Sequence, residues 1–342
     1  MAVDPAAPAR SERLETLEPE EFQRLAAAIE AAVGRVVVGQ RDAVRGALIC
    51  LLSGGHALLE GVPGLGKTTL ARALAASLDL EAKRIQFTPD LMPADITGTN
   101  VLLQSAGGAD ARLRFEPGPV FANVVIADEI NRAAPRTQSA LLEAMQERTV
   151  TTSNETRRLP EPFFVLATQN PVEMYGTYPL PEAELDRFFL KLQFTYPPAD
   201  ELSAMVERTT AETAEPAIDP VADATTVARM NALVRAVPAA EHVIDYASRL
   251  VLALQPGPAA SERVRRFVRL GPSPRGAQAL VLAGRVAALI DGRYSLAVED
   301  VRAVALPALR HRLVLTIDAE RQAVSADEIV AEALESLLRE GG

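Results

Sequence analysis

Residues 61 to 68 read Gly-Val-Pro-Gly-Leu-Gly-Lys-Thr, the G-x-x-x-x-G-K-[ST] spacing of a phosphate-binding loop, and nothing else in the chain constrains its fold so strongly. Such a loop works only between a buried strand and the start of a helix, because its amide groups must converge on an anion at the helix N-terminus. The neighbours fit, since His56-Ala57-Leu58-Leu59-Glu60 reads as a strand and residues 69–75 carry a helical pattern. Gly61, Gly64 and Gly66 are expected to let the backbone close on phosphate oxygens where side chains would block it. Lys67 is expected to reach the β and γ phosphates and the Thr68 hydroxyl to ligate Mg²⁺, with Pro63, Leu65 and Thr69 completing the nucleotide-contacting run.

A second motif gives the loop its chemistry. Val124-Val125-Ile126-Ala127-Asp128-Glu129 is an apolar run ending in two carboxylates. Alone it could be any buried strand closing at the surface. Beside a phosphate loop, Asp128 suits the Mg²⁺ shell and Glu129 suits the attacking water. The pair points to hydrolysis of a nucleoside triphosphate rather than anion binding alone.

Composition narrows the class. The 342 residues allow two domains and an ample core. A formal charge of −10 offers no global attraction for nucleic acid or anionic lipid. Hydrophobic residues make up 48% but aromatics only 4%, with no Trp, so the core must be built mainly from Ala, Leu and Val. The single cysteine, Cys50, sits in an apolar helical stretch and reads as a buried small hydrophobe. With no intrachain disulfide, no signal peptide and no apolar run of about 18 residues, the expectation is a cytoplasmic protein without direct membrane insertion.

Along the chain, residues 1–18 read as a flexible N-terminus and 19–33 as a polar helix. Residues 36–40 form a turn before the Cys50 helix. Residues 82–87 suggest a second strand, followed by a Pro/Asp-rich stretch over 88–97. Residues 98–119 read as a hairpin-like insertion with an exposed tip at 105–110. Residues 137–148 are helical, 149–159 suggest a small hairpin, and 162–168 form a buried strand ending at Gln169-Asn170-Pro171. Strands alternating with helices imply a three-layer parallel α/β domain over 19–196. From 197 to 342 helical periodicity dominates, broken at Pro216, Pro220, Pro256, Pro272 and Pro274, which describes a smaller all-α domain.

Five strings in this order resemble the MoxR family of AAA+ ATPases. They are the phosphate loop, Asp128-Glu129-Ile130-Asn131-Arg132-Ala133, Ala167-Thr168-Gln169-Asn170-Pro171, Glu184-Leu185-Asp186-Arg187-Phe188 and Gly271-Pro272-Ser273-Pro274-Arg275. The resemblance runs over roughly residues 20 to 340. It implies a P-loop AAA+ domain followed by a helical lid, with ATP and Mg²⁺ as cofactors. It also implies a homo-oligomer, a hexameric ring, doing chaperone-like remodelling or maturation of a client complex, including metal or cofactor insertion, with a partner carrying a von Willebrand factor A domain. Asn170 would be sensor 1, orienting water or touching the γ-phosphate; a turn-starting Asn-Pro is the alternative. Arg187 would act in the neighbouring subunit's site, where a guanidinium suits the charge of a transferring phosphoryl group; a surface ion pair to Glu184 or Asp186 is the alternative. Arg275 would be sensor 2, reaching the phosphates if the lid folds over the nucleotide, or else a solvated residue at a helix start. Val38-Gly39-Gln40 resembles the adenine-side box, and Gly39 and Gln40 would meet the base through backbone groups.

The remaining titratable residues carry no further chemistry. His56, His242 and His311 have no metal-ligand spacing and read as structural. Glu143, Glu147 and Arg148 lie at helical spacing and suggest an exposed, ion-paired face. Arg132 suits either a partner of the carboxylates or an intersubunit contact. Two other functions remain open. One is a DNA-acting ring motor, for which Arg112, Arg114, Arg157 and Arg158 in the two insertions would line a pore, although the acidic charge argues against nucleic acid. The other is a nucleotide-gated scaffold with negligible turnover.

Overall fold

Short apolar strands form the centre of the computed structural model, which describes residues 17–104, 111–152, 155–170, 176–210 and 217–340. In chain order the strands of the first part are β1 Ala57–Glu60, β2 Ala82–Gln86, β3 Gly98–Gln104, β4 Ala111–Pro117, β5 Val124–Asp128, β6 Thr149–Thr152, β7 Glu155–Arg158, β8 Phe164–Gln169 and β9 Leu190–Gln193. Five of them make one parallel sheet in the order β2-β5-β8-β1-β9. Every residue of β5 is buried, as is nearly all of β8, because helices cover both faces of a parallel sheet. All five strands point the same way, so their C-terminal ends share one edge of the sheet.

Helices α1 (Pro19–Gly34), α2 (Arg41–Leu52) and α3 (Lys67–Ser77) accompany this sheet. The α1 pattern is legible from the chain, with Pro19 at its first turn beside Glu20 and Glu21. The Pro/Asp-rich stretch that follows β2 contains a short helix, Pro93–Thr97. The two insertions are antiparallel hairpins. In one, Leu102 faces Leu113 across β3 and β4; in the other, Thr151 faces Thr156 across β6 and β7. The two touch each other, because the Arg157 guanidinium sits 4.0 Å over the Phe115 ring. The expected tip at 105–110 lies outside the described residues.

Beyond Tyr196 the chain is helical, with Ala224–Ala236, Glu241–Ala253, Pro274–Ile290 and Ala326–Glu340 as its longer elements. It also contains a two-stranded antiparallel pair, β10 (Val268–Leu270) and β11 (Val314–Leu315), that helical periodicity gave no sign of. One hydrophobic core runs from α1, α2 and β1 through Val227, Ala247, Leu280 and Val330 of this part, so the helical part is welded to the N-terminal helices. The other sheet face has its own core, including Phe87, Leu141, Phe163 and Phe188. Strand β9 was not anticipated. It pairs with β1 at the sheet edge, and its first residue, Leu190, is level with Ala57.

Candidate active site

The phosphate loop connects β1 to α3 at the C-terminal edge of the sheet. Gly64 and Gly66 adopt φ of +85° and +89°, and a Cβ added at either would meet no atom within 4 Å. These two glycines therefore form an open cradle whose turns a side-chain-bearing residue would strain. Gly61 has a packing part besides the one expected. A Cβ there would fall 2.7 Å from Phe194 Cβ and 2.8 Å from the Phe194 carbonyl, so its missing side chain lets the loop lie against the end of β9. Leu65 is buried and anchors the loop from below, while Pro63 is exposed. Lys67 Nζ donates to the Gly61 carbonyl at 2.5 Å. Partial burial holds its amine below the ordinary lysine value, against the opposing pull of Asp128, Glu129 and Glu60.

Asp128 and Glu129 close β5 beside this loop. The Thr68 hydroxyl donates to the two Asp128 carboxylate oxygens at 3.2 and 3.4 Å, bringing the two expected metal ligands together. Glu129 sits in the left-handed region with φ 58°, a conformation held by its N–H donating to Thr168 Oγ1 at 2.9 Å. The same Thr168 hydroxyl donates to Asp128 Oδ1 at 3.3 Å. One threonine of β8 thus fixes both carboxylate residues.

Two further side chains reach this cluster from β2. Arg84 Nε donates to Asp128 Oδ2 at 2.6 Å, and Arg84 Nη2 donates to Gln86 Oε1 at 2.8 Å. Gln86 Nε2 in turn donates to Glu129 Oε2 at 3.3 Å, while Arg132 Nε pairs with the same oxygen at 3.0 Å. Of the two roles weighed for Arg132, the structure displays the partner of a carboxylate. Thr168, Arg84 and Gln86 were missed in the sequence; only the register between β2, β5 and β8 brings them to the site.

Asn170 is buried and follows β8 directly. Because Glu60 pairs with Gln169, Asn170 stands level with Gly61, where the phosphate loop begins. On the opposite flank, Gln40 Nε2 donates to the Thr195 carbonyl at 2.8 Å, and Gly39 and Gln40 line a cavity of about 650 Å³. Thr68 and Thr69 line a second cavity, of about 380 Å³, walled by Val36, Arg72 and Ile218.

Arg187 and Arg275 are not in this group. Both line a cleft of about 380 Å³ that also contains His56, Arg148, Gln278 and Arg312. His56 precedes β1 and Arg187 precedes β9, so this cleft lies at the N-terminal edge of the sheet. The length of β1, about 13 Å at ~3.3 Å per residue, separates that edge from the phosphate loop. The expectation that the lid brings Arg275 over its own chain's phosphates is therefore corrected. Helix Pro274–Ile290 starts beside Asp186, whose Oδ2 lies 3.7 Å from Arg275 Nη1. Asp186 is also the partner of Arg312, at 2.9 Å. The expected ion-paired face at Glu143, Glu147 and Arg148 is also revised, because Arg148 Nη2 turns inward to donate to the Gly54 carbonyl at 2.8 Å.

Two of the three histidines, His56 and His311, are structural, while His242 is exposed. Val165 N–H donates to His56 Nδ1 at 3.1 Å, which leaves Nε2–H to donate to the Met145 carbonyl at 3.1 Å. Burial pushes the His56 pKa down to about 4. His311 Nε2 lies 2.9 Å from the Phe188 carbonyl, and burial with the nearby Arg312 charge holds this ring well below the ordinary histidine value. Cys50 is fully buried, which raises its thiol pKa.

Comparison with known proteins identifies the family of this fold. Residues 56–190 match the family model described as ATPase family associated with various cellular activities (AAA), and residues 260–333 match the AAA lid domain. The chain is 40% identical over 306 residues to Chaperone MoxR1 of Mycobacterium tuberculosis, covering 89% of this chain and 80% of that one. It is 42% identical over 309 residues to the protein YeaC of Bacillus subtilis, covering 89% and 92%. A crystal structure of a candidate ATPase from Cytophaga hutchinsonii superposes with a TM-score of 0.85 at 38% identity, over 93% of this chain and 95% of the other. With the AAA core and its lid both matched and a MoxR relative aligned along most of the chain, the chain belongs to the MoxR family of AAA+ ATPases.

Proposed function

We propose that this protein hydrolyses ATP with Mg²⁺ in a ring of identical subunits and uses the resulting domain movement to remodel a client protein complex. The observation that carries the reading is the separation of its functional residues. Lys67, Thr68, Asp128, Glu129 and Asn170 gather at one edge of the sheet, while Arg187 and Arg275 face a cleft at the other. Arg84 and Arg132 stand at this edge but are engaged with Asp128 and Glu129, so Arg187 and Arg275 would serve the phosphate site of another copy, as head-to-tail packing in a closed ring would bring them to it. The family's hexamer is the natural form of such a ring.

The residues fit the implied ligands. Thr68 and Asp128 offer close oxygen donors to a hard divalent cation, and the Gly64–Gly66 cradle leaves room for phosphate oxygens. Mg²⁺, when bound, neutralises phosphate charge. Lys67 and the loop amides hold the phosphates, Glu129 accepts a proton from the attacking water, and Asn170 orients it. Division into an ATPase domain over 19–196 and a lid over 197–342 belongs to the same reading, as does a cytoplasmic location.

A protein client suits the insertions better than DNA does. On the β3–β4 hairpin Leu102 and Leu113 are 53% and 71% exposed, opposite one another, while Arg157 of the second hairpin is occupied with Glu155 and the Phe115 ring. The name of the mycobacterial relative, a chaperone, supports the same class. By resemblance the proposal extends to a separate partner with a von Willebrand factor A domain and to maturation steps such as metal insertion.

ATP turnover and light-scattering mass test the reading, with Glu129→Gln as the control. Expected are an assembled ring with ATP and a fall in turnover of at least about 100-fold in the variant, since the base contributes ~10²–10⁴. Undiminished turnover in Glu129→Gln would remove the assigned mechanism.

A further inference from the structure

The segment bearing Arg187 is fastened to the lid by a buried polar clamp. Arg312, only 6% exposed, uses every nitrogen of its guanidinium on this segment or on the helix Ala305–Leu309 just before it. Nε donates to Asp186 Oδ1 at 2.9 Å, Nη2 to the Phe188 carbonyl at 2.7 Å, and Nη1 to the Phe189 carbonyl at 3.1 Å and to the Ala308 carbonyl. His311 adds its own bond to the Phe188 carbonyl. The other oxygen of Asp186 accepts from Ser273 Oγ at 2.8 Å and faces Arg275. Ser273 Oγ also accepts from the Arg275 N–H at 3.1 Å, capping helix Pro274–Ile290. Arg187 therefore has lid-bound residues on both sides of it in sequence, and the sheet side is held as well, by Phe189 N–H donating to the His56 carbonyl at 2.7 Å.

A buried guanidinium stripped of its counter-charge is costly, so this pair is a poor choice if only packing were needed. It does provide directional bonds that fix one backbone conformation at Arg187. We propose that Asp186 and Arg312 are positioning residues, which hold Arg187 in the orientation that completes a neighbour's site and tie that orientation to the lid of their own subunit. The inference rests on the trans-acting role of Arg187. Lid and arginine then move as one block, so a change in one subunit's lid alters the geometry presented to the next.

A double-mutant cycle on steady-state ATP hydrolysis tests this, using the full-length assembled protein. Arg187→Ala alone is expected to lower kcat by at least about 100-fold, in line with the ~10³–10⁵ an arginine finger supplies. Asp186→Asn alone is expected to lower kcat by roughly tenfold without raising KM, and to have no further effect on the Arg187→Ala background, because a positioning residue acts only through its target. An equal loss on both backgrounds overturns the proposal, since it would show Asp186 acting elsewhere. A silent Arg187→Ala overturns both the finger role and the positioning role, and is recognised from that variant alone. If Asp186→Asn does not fold, Ser273→Ala runs the same cycle. It removes one hydrogen bond from Asp186 and keeps the ion pair, and a roughly two- to threefold fall confined to the Arg187 background is expected.

Discussion

At the scale of single residues the site depends on how two carboxylates are held apart and aimed. Thr168 does much of this, bonding the Glu129 N–H and the Asp128 carboxylate with one hydroxyl. Thr168→Val keeps the β-branched shape while removing that hydroxyl, leaving a donor and an acceptor without their partner. We expect kcat to fall by about 10-fold, as misplacement by an ångström or less weakens an oriented site, and stability to fall by about 1–3 kcal/mol, because the unsatisfied groups are buried; steady-state kinetics and thermal melts check both. His56 supplies a second residue-level prediction. The folded protein keeps it neutral, with a pKa of about 4, whereas in an unfolded chain it titrates at its ordinary 6.5. Between those values the unfolded state binds more protons, so the stability present above 6.5 is lost as pH falls toward 4. The loss is on the order of 3 kcal/mol, and His311 adds to it with the same sign. Denaturant midpoints measured across this range should fall with acidification, and less steeply in His56→Gln.

At the scale of elements, the phosphate loop and the Asp128 strand are legible in the sequence because each is a local pattern whose residue types follow from one ligand. Their surroundings are not. Arg84 and Gln86 reach the carboxylates only because β2 pairs with β5 so that Gln86 stands opposite Asp128. Strand β9 alternates as Leu-Lys-Leu-Gln, a strand pattern only four residues long and so easily passed over, and Phe194 directly after it supports the loop. That contact is testable. Gly61→Ala would drive a Cβ into Phe194 backbone, so the loop must shift. A loss of ~1–3 kcal/mol in stability is expected from such overpacking, with KM for ATP raised by about tenfold or more. Melting curves and nucleotide titration would show it; an unchanged KM would mean that the loop does not depend on β9.

Across the whole molecule, chain order conceals what the fold reveals. The family strings containing Arg187 and Arg275 lie far apart in sequence, and no periodicity says which end of the sheet receives them. Asp186 meets Arg312 across 126 residues, and this clamp with the core shared by α1, α2 and the lid decides where the second domain sits. The result leaves each subunit with a phosphate site at one edge and an arginine cleft at the other. On the proposed reading, activity belongs to the contact between copies.

Mixing complementary variants measures that consequence most directly. Lys67→Ala removes a subunit's own phosphate site and keeps its arginine cleft, while Arg187→Ala does the reverse. Each alone should be nearly inactive. Mixed in equal amounts and reassembled with ATP, they should regain roughly a quarter of wild-type turnover, the fraction of head-to-tail contacts that join an intact site to an intact arginine. A mixture as inactive as its components, or an Arg187→Ala protein that hydrolyses ATP normally, would contradict the account.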